Sequence, residues 1–259
     1  MLRPRIIPCL LIRGKGLVKT VKFKDSKYIG DPLNAVKIFN EKEVDELIVL
    51  DIDATAEGRE PDYALIQKMA MECRMPFCYG GGISTAAQAK KIIGLGVEKV
   101  AISSAAVNDP SLVSQIAEEI GSQSVVVVLD VKKKLFGGRY EVWIHNGKKN
   151  TGKCPIDLSK QLQDLGVGEI VINSIDCDGV MKGYNLDITD KVYNEVHVPI
   201  TVLGGAGSLE HVGQLINKFG IVGAAVGSLF VFKGVYKAVL INYPAPAEKD
   251  ELLRRYFVT

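Results

Sequence analysis

Laid on itself at a shift of 124 residues, the chain matches its own second half at positions where backbone geometry restricts the choice of residue. Gly80 falls on Gly204, Gly81 on Gly205, Ser84 on Ser208, Ile92 on Ile216, Gly96 on Gly220, Ala101 on Ala225 and Ser104 on Ser228. Chance identities scatter, whereas these fall on turns, helix starts and strand ends, where conformation favours glycine and small hydroxyl residues. LIVLDID (47–53) likewise resembles IVINSID (170–176) at a shift of 123. A duplicated half accounts for both, and it restricts the chain to folds with an internal two-fold.

Within each half, short β-rich runs alternate with helical ones, the pattern of βα units around a parallel sheet. The strand candidates are residues 5–12, 46–52, 76–80, 98–103, 124–131, 168–174, 199–204 and 222–227. Eight such strands read as a closed (β/α)8 barrel, a TIM barrel built from two half-barrel repeats, for which 259 residues is an ordinary length. Helix starts are marked by Asp109 with Pro110 at the first helical position, by Ser84 and by Ser208; Gly96, Gly121, Gly166 and Gly220 mark stops. No linker rich in Pro, Gly or Ser divides the chain. The reading is one domain over 1–259, with half-barrels at about 1–121 and 122–240 and a C-terminal extension over 241–259.

Composition narrows the function classes. A hydrophobic fraction of 47% with 24% charged residues suits a large buried core and excludes a disordered chain. The 32 basic and 30 acidic residues are spread along the sequence, which argues against bulk attraction to nucleic acid or membrane. No apolar run approaches the roughly 20 residues of a membrane span, and the N-terminus lacks a secretory signal, so a cytoplasmic location is expected. Five cysteines are scattered without metal-ligand spacing to His145, His197 or His211, so reduced thiols, no structural metal and no cofactor are expected.

Active sites in this fold form at the C-terminal ends of the strands. There GGGIS (80–84) ends one strand and opens a helix, and GGAGS (204–208) does the same half a barrel later. Glycines let backbone N–H groups approach an anion, and a following helix N-terminus adds partial positive charge. Each loop, with Gly81 and Gly82 in one and Gly205 and Gly207 in the other, is a candidate phosphate cradle, and so also a plain tight turn. The next strand of each half ends in small residues that can complete a cradle, Ser103 and Ser104 or Gly227 and Ser228. Two cradles at symmetric positions imply a ligand with a phosphate at each end, spanning the barrel mouth. Candidate acid/base groups are the strand-end carboxylates Asp51, Asp53, Asp130, Asp176 and Asp178. Asp130 stands out because VVVVLD leads a buried strand into it; its other reading is a cap or an ion-pair partner. Cys9 and Cys177 have no histidine placed to activate them as nucleophiles.

In order and spacing, RIIPCL (5–10), GDP (30–32), LDI (50–52), PFCYGGGI (76–83), the run 105–130, GKKNTG (147–152), SIDCDG (174–179) and GGAG (204–207) resemble one family. It is the cyclase subunit of imidazole glycerol phosphate synthase, a histidine-pathway barrel that works with a glutaminase subunit. The resemblance implies that ammonia from the glutaminase crosses the barrel core to the strand-end face. There it reacts with a ribulosyl aminoimidazole carboxamide bisphosphate, giving imidazole glycerol phosphate and an aminoimidazole carboxamide ribotide. It further implies substrate-binding roles for Lys19, Asp51, Asn173, Ser174 and Asp176. At the opposite face it implies a charged ring of Arg5, Glu46, Lys99 and Glu169 around an ammonia entrance, with Glu98 beside it at the glutaminase interface. The same four charges also read as barrel-bottom salt bridges.

The sequence departs from this family at one of its two catalytic aspartates. The fifth-strand aspartate is present as Asp130, but the position after PCL is Leu11. The half-barrel repeat exposes the same gap, since Leu10 and Leu11 lie opposite Leu129 and Asp130 at a shift of 119. A hydrocarbon transfers no proton, and losing a positioned acid/base group removes about 10²- to 10⁴-fold of rate. Three readings follow. The first is a diverged paralogue that passes ammonia to a third protein making an amidino sugar for surface polysaccharide. The second is a working histidine-pathway cyclase in which Asp51, Asp53 or a water covers the gap. The third is a non-catalytic scaffold that activates the glutaminase by docking.

Overall fold

Parallel strands buried on both faces read as nearly continuous apolar runs, and the eight such runs form the eight staves of a closed cylinder. The computed structural model describes residues 3–134 and 137–257. The staves are β1 (Arg5–Arg13), β2 (Leu47–Asp51), β3 (Phe77–Gly80), β4 (Lys99–Ile102), β5 (Val125–Lys133), β6 (Glu169–Ser174), β7 (Ile200–Leu203) and β8 (Gly223–Val226). Each pairs in parallel with the next, and β8 pairs with β1 to close the barrel. All eight lie within two residues of the ranges expected from sequence.

Helices α1 (Pro32–Glu41), α2 (Tyr63–Glu72), α3 (Ala86–Ile93), α4 (Ser111–Ile120), α5 (Pro155–Asp164), α6 (Leu186–Tyr193), α7 (Leu209–Phe219) and α8 (Pro246–Tyr256) follow the strands in turn and cover the cylinder. Ser208 caps α7 as expected, by accepting from the His211 amide at 3.3 Å. For α3 the cap is Thr85 rather than Ser84, because the Ser84 amide and hydroxyl both donate to the Gln88 side chain. Pro110 sits one position before α4, whose first amide donates to the Asp109 side chain. The stretch set apart as an extension carries α8. Its Tyr256 ring lies on α7 at Gly213, where a Cβ would fall 2.4 Å from the ring. Its Lys249 pairs with Asp45 at 2.9 Å, and Tyr243, just before it, donates to the Ile6 carbonyl.

Two hairpins extend the barrel at its C-terminal end. Gly16–Val21 and Lys24–Gly30 fold back on the end of β1, and Tyr140–Ile144 and Lys149–Asn150 fold back on the end of β5. They stand on opposite sides of the barrel, one per half.

The two-residue period of a strand decides what faces the barrel interior. On β1 the inward line is Arg5, Ile7, Cys9, Leu11; on β5 it is Val126, Val128, Asp130; on β6 it is Glu169, Val171, Asn173. Each line carries a charged or polar side chain at one end or at both and is apolar elsewhere. Ile7, Cys9, Ile48, Cys78, Ala101, Val126, Val128, Val171, Leu203 and Ala225 fill that middle section as a core of their own, separate from the larger core under the helices.

Candidate active site at the barrel mouth

A cavity opens at the C-terminal ends of the strands, and Asp130 sits on its wall. β5 and β6 pair so that Asp130 stands directly beside Asn173, whose Nδ2 donates to Asp130 Oδ1 at 2.8 Å. Burial raises the Asp130 carboxyl to about 7; the Asn173 bond opposes the rise and the charge on Asp178 adds to it. Such a group exchanges a proton near neutrality, which is what acid/base chemistry requires. On the opposite side of the cylinder β1 pairs with β2 so that Leu11 stands beside Leu50, and both line the cavity. Leu11 and Leu50 thus give this part of the wall an apolar face.

Lys19 reaches in from the β1 hairpin and is buried, its ammonium donating to the Cys9 carbonyl. Burial lowers its pKa, partly offset by Cys9 and Asp178. Asp178 lines the cavity and holds the hairpin down by accepting from Thr20 Oγ1 at 2.7 Å and the Phe23 amide at 3.0 Å. Burial raises the pKa of Asp178 against those bonds. Asp51 also lines the cavity, but its carboxylate accepts from the Asp53 and Ala54 amides and faces Arg59. Burial raises it too, against those same partners. Asp53 is paired with Arg13 at 2.9 Å.

The two glycine loops match in conformation at one aligned position. Gly81 and Gly205 adopt φ of 118° and 115°, a region closed to other residues, and a Cβ there would strike the carbonyl of Asp51 at 2.3 Å or of Gly183 at 2.0 Å. Close packing thus already demands these glycines. Both line the cavity, as do Ser103, Ser104, Gly227 and Ser228. The amides of Gly82 and Gly207 point elsewhere, donating to Thr55 Oγ1 at 3.0 Å and His211 Nδ1 at 3.1 Å. Any anion in the cradles would meet Gly81, Ser104, Gly205 and Ser228 rather than these two. Ser174 is buried beside Asn185, and Asp176 accepts from the Lys133 amide, so neither is brought to the cavity wall.

His145 and Asn146 at the tip of the β5 hairpin complete the mouth, and the sequence reading passed over both. The His145 amide donates to Ser104 Oγ at 3.2 Å and Asn146 Nδ2 to Asp53 Oδ1 at 3.3 Å, so this hairpin spans to the first half. Both residues have positive φ ahead of Gly147, and Asn-Gly between β-rich runs is a hairpin signal that could have found them.

At the other end of the barrel Arg5, Glu46, Lys99 and Glu169 form a closed ring. Arg5 pairs with Glu46 and, at 2.8 Å, with Glu169; Lys99 pairs with both glutamates at 2.9 Å. Burial works against the charge of all three shifted members. Glu169 and Glu46 nonetheless raise the pKa of Arg5 and of Lys99, while Arg5 and Lys99 lower that of Glu169. Thr201 Oγ1 also donates to Glu169. Glu98 stands outside the ring and accepts from the Phe77 amide at 2.7 Å, anchoring the start of β3. The described residues contain no cluster of metal-ligand type and no helix long and apolar enough to cross a membrane.

Comparison with known proteins agrees with this architecture. The profile of the family described as "Histidine biosynthesis protein" matches residues 5–237. A protein of Vibrio vulnificus named "Putative imidazole glycerol phosphate synthase subunit hisF3" is 60% identical over 98% of this chain and 97% of its own length. One of Pseudomonas aeruginosa, "Putative imidazole glycerol phosphate synthase subunit hisF2", is 52% identical over 94% of this chain and 97% of its own. The "Imidazole glycerol phosphate synthase subunit HisF" of Clostridium botulinum is 37% identical over 94% of this chain and 96% of its own. With a closed eight-stranded barrel, a strand-end carboxylate and relatives matched along nearly their whole length, the chain belongs to the histidine biosynthesis protein family, among the barrel subunits of imidazole glycerol phosphate synthase.

Proposed function

We propose that this barrel pairs with a glutaminase subunit, takes ammonia in through the Arg5–Glu46–Lys99–Glu169 ring and passes it along the apolar core to the mouth, as a diverged member of its family. The acceptor there is a third protein that makes an amidino sugar for surface polysaccharide. The observation that carries this reading is the wall opposite Asp130, where Leu11 stands in register with Leu50. An enzyme that shuttles protons between two carboxylates cannot use that wall, whereas one that only delivers a neutral molecule can. The names of the relatives run the same way, since those at 52–60% identity carry numbered or qualified names and those at 36–40% do not.

The matched glycine loops at Gly81 and Gly205 favour a second reading, a working histidine-pathway cyclase that binds the bisphosphate across the mouth. One experiment separates the two. With ammonium salts and the ribulosyl aminoimidazole carboxamide bisphosphate, the wild-type barrel should turn over far more slowly than an aspartate-bearing relative. Leu11→Asp should raise its rate by about 10²-fold, the worth of one positioned acid/base group. Robust wild-type turnover that Leu11→Asp leaves unchanged or lowers would establish the cyclase and remove the diverged reading.

A further inference from the structure

Large apolar side chains that stand bare in water are not spread evenly over this molecule. Of the nine exposed ones among the described residues, six lie on two neighbouring segments: Val21 and Tyr28 on the β1 hairpin, and Val235, Tyr236, Val239 and Leu240 after β8. Val235 and Tyr236 are 95% and 96% exposed, at the tip of a short hairpin whose arms, Phe232–Lys233 and Ala238–Val239, pair antiparallel. The two segments touch. Lys27 Nζ donates to the Lys237 carbonyl at 3.0 Å and lies 5.1 Å from the centre of the Phe232 ring. The Tyr28 ring rests on Gly16, where a Cβ would fall 2.5 Å from it, so it is backed by the hairpin while 65% exposed.

Single apolar residues are ordinary at a surface, whereas a contiguous patch marks a place that another molecule covers. This patch sits at the rim of the mouth. The β1 hairpin also lines the cavity, with Lys19, Thr20 and Phe23, and the β8 hairpin follows Gly227 and Ser228, which line it too.

Charge decides what kind of molecule fits. Over 21–30 and 231–240 the patch is set among five exposed lysines, Lys22, Lys24, Lys27, Lys233 and Lys237, with Asp25 the one acid. In a chain of formal net charge +2, these two segments hold more than the whole positive excess. None of the five lysines is in an ion pair among the described residues, whereas Lys134, beside the β5 hairpin, pairs with Glu141. A second copy of the chain would set five lysines against five, which opposes self-association. A partner with acidic groups around an apolar seat is complementary, its apolar centre giving affinity and its charges guiding approach and orientation.

Resting on the reading that ammonia passes to a third protein, we propose that Tyr28, Val235 and Tyr236 with their lysine rim are the docking surface for that acceptor. The acceptor presents an acidic-edged apolar seat and covers the mouth from the side of β1 and β8. The charged ring at the far end of the barrel stays free, so glutaminase and acceptor bind at the same time. An anionic lipid surface would match the charge but offers ammonia no acceptor.

The test reconstitutes the barrel, its glutaminase and the protein that makes the amidino sugar, with glutamine or ammonium chloride as the nitrogen source. Val235→Ser with Tyr236→Ser, and separately Lys233→Glu with Lys237→Glu, should each weaken calorimetric binding of the acceptor about tenfold or more. Formation of the amidino sugar from glutamine should fall with it, while glutamine hydrolysis and formation from ammonium chloride stay at the wild-type level. Met71→Ser, which removes a bare apolar side chain on α2, should change none of these. Undiminished binding in both double variants would overturn the surface. So would a wild-type barrel that ignores the acceptor and, through Tyr236, either dimerises in sedimentation or binds vesicles of phosphatidylglycerol and phosphatidylcholine. If the wild-type assembly makes no amidino sugar from glutamine, the delivery reading fails instead, and the binding measurement still decides the surface.

Discussion

Asp130 sets up a conflict between folding and chemistry. Its folded-state pKa is raised, so between about pH 4 and pH 7 the native protein holds a proton that the unfolded chain has released. Stability from this group is therefore full below the unfolded-state pKa and is lost as pH rises through the folded-state one. The loss is of order 2–4 kcal/mol for a fully buried carboxyl shifted this far. Asp130→Asn should remove that slope. Denaturant melts of the variant should match wild type near pH 4 and exceed it at pH 8. A variant less stable than wild type at both pH values would overturn burial of the charged carboxylate as the source of the slope. Leu11→Asp would bring a second carboxylate to the same mouth, where like charges push two pKa values apart, so the pair would titrate as a unit.

Between strands and helices the legible parts of the chain were those under local constraint. β1 to β8 announced themselves because both of their faces are buried, and α7 because Ser208 and Gly220 bracket it. Other features needed the assembled fold. α8 buries little of its own apolar surface, Leu252 apart, and its packing on α7 depends on a glycine that a sequence cannot tie to a distant tyrosine. Asp178 rather than Asp176 reaches the cavity because the chain turns after β6 and the strand period no longer applies. The pairing of Leu11 with Leu50 required register. Gly213→Ala tests the α7–α8 contact through its sign. In an exposed helix the change would add up to about 1 kcal/mol, but here the methyl meets the Tyr256 ring and should cost about 1–3 kcal/mol. Adding Tyr256→Ala should abolish that cost. A higher Tm for Gly213→Ala alone would mean that α8 is not seated as described.

Taken end to end, the barrel has a charged ring at one mouth, an apolar middle and the Asp130 carboxyl at the other mouth, all on inward-facing positions of its strands. Each glutamate of the ring touches both cations, which wires the four side chains as a square. Lys99→Met alone leaves two buried carboxylates to share Arg5 and should cost about 3 kcal/mol. Lys99→Met with Glu169→Gln restores neutrality and should cost clearly less than the sum of the single changes; strict additivity would mean that the bridges act independently. The square also constrains how the sequence can drift. A lineage that loses one corner gains from losing an opposite charge next, so substitutions at these four positions should accumulate in charge-compensating couples, and an intermediate with three corners should be short-lived.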